Sequence, residues 1–116
     1  WDGSRTAARA VSDANPFIRK AKRVTVLSLT GEKPLPETTG AHLAEILVSS
    51  GVNASATVTR VTSSSTGQSI QQTALELSAD MLVMGGFGHS RLRDFVLGGA
   101  TDGVLEKPLL PVLMSH

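Results

Sequence analysis

The chain has 116 residues, enough for one domain with its own core, and its lack of cysteine excludes disulfides, thiolate metal sites and a cysteine nucleophile. Eleven basic against ten acidic side chains leave a formal charge of +1, and aromatic residues make up 3%, which disfavours nucleic acid as a partner. No apolar run is long enough to span a bilayer and no signal-peptide core opens the chain, so the expectation is a soluble, cytoplasmic protein with no membrane partner.

From Ser4, a candidate N-cap, apolar residues at Ala7, Ala10, Val11, Ala14, Phe17 and Ile18 recur at helical spacing. Pro16 is expected to kink or shorten the end of that helix. Val24 to Leu29 is β-branched and apolar and reads as a strand closed by a Thr30-Gly31 turn. Pro36 suits the first turn of a helix carrying Leu43, Ile46 and Leu47 on one face, which Gly51 ends. Ala54, Ala56 and Val58 then alternate with Ser55, Thr57 and Thr59, the pattern of an edge strand with one wet face. After a polar loop from Thr62 to Gly67, a helix turns Ile70, Thr73, Ala74 and Leu77 inward.

Met81 to Met84 are four successive apolar side chains, as in an interior strand covered on both faces. A last helix around Thr101 to Glu106, loosened by Gly103, precedes a final strand from Pro111 to Met114. This alternation of helix and strand implies an α/β protein with a parallel sheet and right-handed crossovers.

The interior strand opens directly into Gly85-Gly86-Phe87-Gly88, and Gly98-Gly99 follows ten residues later. Glycines after such a strand let the backbone reach positive φ and bring N–H groups close to a ligand, which is how loops in open α/β sheets hold phosphate. The second pair is placed to open a helix whose dipole favours the same anion. Tight turns alone would also explain glycines, but Gly85, Gly88, Gly98 and Gly99 together after an interior strand favour a nucleotide or phosphate site. The stretch Gly86 to Arg91 lacks the third glycine of the dinucleotide fingerprint, and no P-loop is present. Ser90 does not sit in a nucleophile elbow, and His42, His89 and His116 have no metal-ligand spacing. Arg91, beside the glycine turn, can neutralise phosphate, whereas Arg93 reads as a solvated surface residue.

With Gly85, two residues, Gly88, nine residues and Gly98, the chain resembles the universal stress protein family. The block from Gly88 to Thr101 is similar to the second domain of tandem bacterial members, and Trp1-Asp2-Gly3-Ser4 and Lys107 to Met114 match the same family. The resemblance implies an open five-stranded parallel sheet in the order 3-2-1-4-5, helices on both faces, with the first strand largely missing from this chain. Residues 1–116 would then be a single domain, a fragment of a longer two-domain protein. The ligand crevice would lie where the strand order reverses, with Asp2 facing the Gly85 to Gly88 loop.

By the same resemblance the ligand is ATP, with Mg²⁺. Gly85, Gly88 and Gly98 would meet the triphosphate, with Ser90, Arg91, Gly99 and Ala100 beside it. Asp2 would meet the adenine or ribose, and Leu29 and Met84 would wall the base. Read from the residues alone, Asp2 serves equally as an Asx-turn or capping residue before Ser4, and core packing explains Leu29 and Met84 equally well. One departure stands at Gly99, where nucleotide-binding members have Ser or Thr; the lost hydroxyl is worth about 0.5–1.5 kcal/mol.

Two functions from different classes remain: an ATP-binding stress sensor or scaffold with at most slow hydrolysis, and a non-binding interaction module of the same fold. A phosphoryl-transferring enzyme lacks an acid–base pair and stands third. The apolar final strand suggests pairing as a homodimer, or between two domains of one parent chain.

Overall fold

The computed structural model describes residues 1–30, 38–61, 65–87 and 99–116. In chain order the elements are α1 (Arg5–Asp13), α2 (Asn15–Lys20), β1 (Val24–Thr30), α3 (Thr38–Ser49), β2 (Ala54–Arg60), α4 (Thr66–Glu76), β3 (Leu82–Gly85), α5 (Ala100–Glu106) and β4 (Val112–Ser115). The sequence signals act where expected at the helix ends. Ser4 caps α1, its Oγ accepting from the Ala7 N–H at 3.2 Å. Pro16 divides the first helix in two, standing in the opening turn of α2, where its missing N–H costs least. Gly51 follows α3 at φ 93°, a left-handed turn that favours glycine.

β1 pairs with β2 in parallel from Val24 opposite Ala54 to Thr30 opposite Arg60. β3 pairs with β4 in parallel from Leu82 opposite Val112 to Gly85 opposite Ser115. Among the described residues these pairs form two separate two-stranded sheets. One core nevertheless serves both. Ala14, Ile18 and Val52 are buried together, and against them pack Val24 and Ala54 from one pair and Val83 and Leu113 from the other.

α4 and α5 cross so closely that a Cβ on Gly67 would lie 2.5 Å from the backbone of Gly103 and Val104. Gly103 is thus a packing residue, where the sequence suggested only a loosened helix. Gln71, 1% exposed, is fixed beside this crossing. Its side-chain amide donates to the Lys107 carbonyl at 3.0 Å and its oxygen accepts from the Leu109 N–H at 2.6 Å.

Four expectations about inward faces are corrected. Phe17 is 54% exposed and Ile46 53%; on α3 the buried residues among those described are Gly40 and Ala44. On β2 the wet and dry sides are inverted, with Ala56 and Val58 exposed and Thr57 and Thr59 half-buried. The helix side of Ala56 meets Gly40, whose position offers no side chain as cover. The strand after Asp80, expected to be covered on both faces, is half-buried throughout.

Candidate functional site

A cavity of about 1820 Å³ separates the β1–β2 pair from the β3–β4 pair. Asp2, Leu29, Met84, Gly85, Gly99 and Ala100 all line it. Six of the residues singled out in the sequence, spread from the second position to the hundredth, are thereby brought to one space. Gly88, Ser90, Arg91 and Gly98 lie outside the described residues, and with them the expected approach of Asp2 to Gly88.

The chain reaches this space through a short ordered turn. The Ser4 N–H donates to Asp2 Oδ1 at 2.9 Å, and Gly3 takes φ 72°. The capping geometry that sequence alone allowed for Asp2 is therefore present. It engages Oδ1 and holds the half-buried carboxylate at the cavity wall. Leu29 stands near the end of β1 and Met84 near the end of β3, both half-buried, and they supply apolar walls.

The glycines divide by what surrounds them. At Gly85 a Cβ would meet the backbone of Thr6 and Ala7 at 2.7 Å, so glycine here lets the first turn of α1 lie against β3. At Gly86 it would meet Met114 Sδ at 2.7 Å. Neither needs positive φ; after β3 that conformation falls on Phe87, at φ 53°. The sequence argument about backbone freedom is corrected here to one about space. The Phe87 N–H donates to Thr101 Oγ1 at 3.1 Å, tying the turn to α5. Gly99, the N-cap position of α5, has no atom of the described residues, its chain neighbours aside, within 4 Å of where its Cβ would be. Its lack of a side chain answers no packing demand among the described residues.

Two cavity residues escaped the sequence reading. Asp102, in the first turn of α5, puts a carboxylate among the lining residues near Gly99 and Ala100. Trp1 lines the cavity as well, its ring N–H buried with no hydrogen-bond partner. Its α-amino group donates to the Leu27 carbonyl. Burial pushes the pKa of that amine below its usual value, partly opposed by the Asp2 carboxylate. A lone tryptophan ahead of Asp-Gly-Ser was the available signal. Among the described residues no cluster of His, Asp or Glu is placed to hold a metal, and no helix is long and apolar enough to cross a membrane.

The model of the universal stress protein family matches residues 32–116. A universal stress protein of Synechocystis sp. is 53% identical over 34 residues, a stretch that covers 29% of this chain and 12% of that protein. The solved universal stress protein from Archaeoglobus fulgidus superposes with a TM-score of 0.78 at 19% identity, over 99% of this chain and 41% of its own. Another, a universal stress protein in complex with cAMP, gives 0.70 at 21% identity, over 100% of this chain and 91% of its own. The chain thus spans less than half the length of the Synechocystis and Archaeoglobus proteins it matches. These structural likenesses show the α/β fold.

Proposed function

The chain belongs to the universal stress protein family, and on that premise we propose that it binds an adenine nucleotide, ATP with Mg²⁺, as a stress-response sensor or scaffold. The observation that carries the reading is one cavity, running along β1 and β3 to their carboxyl ends, that gathers Asp2, Leu29, Met84, Gly99 and Ala100. Ligands of open α/β sheets occupy such a crevice. The order 3-2-1-4-5 fits what is seen. Placing β2 beside β1 and β3 beside β4 leaves one central position between β1 and β3, where the cavity is.

In this reading Asp2 accepts hydrogen bonds from the sugar or the exocyclic amine, and Leu29 and Met84 flank the base. The Gly99-Ala100 backbone approaches phosphate, with Gly85, Gly88, Gly98, Ser90 and Arg91 completing its surroundings. Asp102 would repel a bare polyphosphate, which supports a cation as part of the ligand. The cAMP complex of a relative of the same fold supports an adenine nucleotide as the class. The arginine that lines the cavity, Arg23, precedes β1, at the opposite end of that strand from Leu29, and donates to the Leu77 carbonyl, so in this reading hydrolysis is slow at most. The family fold and the apolar β4 support a cytoplasmic protein that pairs through that strand.

Calorimetric titration with ATP and Mg²⁺ tests the proposal. Saturable binding that Asp2→Asn weakens upholds it, since asparagine keeps the acceptor for Ser4 and removes the negative charge offered to the ligand. No heat at millimolar nucleotide leaves the interaction module.

A further inference from the structure

The near-zero net charge conceals an uneven distribution. Four of the chain's eleven basic residues, Arg19, Lys20, Lys22 and Arg23, stand within five consecutive positions where α2 ends and β1 begins. All four are exposed. The other basic residues are outnumbered by the chain's ten carboxylates, so this corner is the basic pole of an otherwise acidic molecule. Local structure accounts for half of the cluster. Arg19 and Lys20 occupy the last turn of α2 and complement its dipole, whereas Lys22 and Arg23 lie beyond it. Nor do neighbouring acids absorb the charge. Among the described residues the ion pair formed is His42 with Glu45, and none of the four cations takes part in one, although Glu76 and Asp80 flank the Leu77 carbonyl that Arg23 reaches.

The segment is nonetheless held in place. Asn53 Nδ2 donates to the Lys22 carbonyl at 3.0 Å, and Arg23 Nη2 donates to the Leu77 carbonyl at 2.9 Å. A fixed cationic surface without internal partners attracts polyanions and loses little backbone freedom on meeting one. An apolar group stands beside it. Phe17, three residues before Lys20 and so on the same side of α2, is 54% exposed. An aromatic ring next to cations suits the boundary of a bilayer, where the ring enters the headgroup layer and the cations meet the anionic lipid groups. Nucleic acid fits less well. Its phosphates run on in a line, and a groove that follows them needs cations spread along it and several aromatic platforms. Here there is one short cluster with one ring.

We infer that Arg19, Lys20, Lys22 and Arg23, together with Phe17, form a docking surface for an anionic membrane. Arg23, tied to Leu77, anchors the segment, and Arg19, Lys20 and Lys22 reach the lipid. Four cations and one ring give reversible, salt-sensitive attachment and no insertion of the fold. The lack of a long apolar helix among the described residues bears on crossing a bilayer, not on lying against one, so the expectation of no membrane partner is revised here. The surface sits before Val24, at the amino end of β1, about 20 Å from its carboxyl end. The rim proposed for the nucleotide is therefore left clear.

Sedimentation with vesicles tests it, using phosphatidylcholine alone or with about one-third phosphatidylserine. The chain should sediment with the second and not with the first, and about 1 M salt should release it. Lys20→Gln combined with Lys22→Gln should weaken binding about tenfold or more. Arg60→Gln combined with Lys107→Gln removes the same charge from exposed positions elsewhere and should change binding less than about twofold. These lysine and arginine side chains make no described contact, so folding does not confound the comparison. Phe17→Ala should weaken binding about threefold or more while leaving its salt dependence unchanged. Failure to sediment with the anionic vesicles overturns the inference. Equal losses from the two charge-removing pairs also do, since the attraction would then be one of net charge. Phe17→Ala without effect, or tighter binding to duplex DNA in the same buffer, would make the partner a polyanion other than a membrane, with the same consequence.

Discussion

At the α4–α5 crossing two helix backbones touch, and a Cβ on Gly67 would fall 2.5 Å from Gly103. At the rim of the cavity no described residue beyond its chain neighbours comes within 4 Å of where the Cβ of Gly99 would be. Both positions carry the same residue. At the first, glycine is demanded by packing, so its cause is folding; at the second no neighbour among the described residues demands it, which leaves room for a ligand. Gly85 shows that membership of a binding motif does not decide between these causes, because α1 already requires glycine there.

The strongest way to break this contrast is Gly67→Val. The added atoms have backbone as their nearest neighbours, which cannot swing aside, and denaturant unfolding should register a loss of about 3 kcal/mol. If stability is retained, the crossing is not as tight as described. Next, Gln71→Ala removes both ends of a buried clamp and strands the Lys107 carbonyl and the Leu109 N–H. A loss of about 2 kcal/mol is expected in the same assay.

Gly99→Val turns the contrast toward the ligand. Its melting temperature should match that of the unaltered chain, while ATP affinity by calorimetry falls about tenfold, equivalent to about 1.4 kcal/mol. A large drop in melting temperature would mean that Gly99, too, serves packing. Ser4→Ala, at the turn that holds Asp2, should cost about 1 kcal/mol of stability through the lost cap.

The smallest effect concerns pH. The Trp1 amine has a folded-state pKa below its usual 8.0 because burial disfavours the charged form. The unfolded chain therefore binds more protons between that lowered value and 8.0, and the stability of the 116-residue chain should rise with pH through this window. Acetylating the amine should flatten the rise. A slope that survives acetylation would assign the dependence to another group.

Much of the fold was legible because short-range physics writes it locally. Ser4, Pro16 and Gly51 act on backbone groups within a few residues, and their effects came out as read. Strand positions were readable from β-branched and apolar runs, and only their register needed the structure. Faces were less legible. Ile46 has the right spacing for the inner side of α3 yet lies exposed, and Val58 the right alternation yet is wet, because cover depends on which neighbour arrives and not on the strand or helix itself. Gln71 gave no local signal for the same reason: its partners lie 36 and 38 residues away.

By itself the sequence determined the order of helices and strands, their caps and turns, and a family resemblance resting on the glycine spacing, because propensity and sterics act over a few bonds. Tertiary structure alone decided that Asp2, Leu29, Met84 and Gly99 share one cavity. It alone separated the glycines that bring backbones together from the one that leaves space open. Chain segments far apart in sequence must pack before either distinction exists.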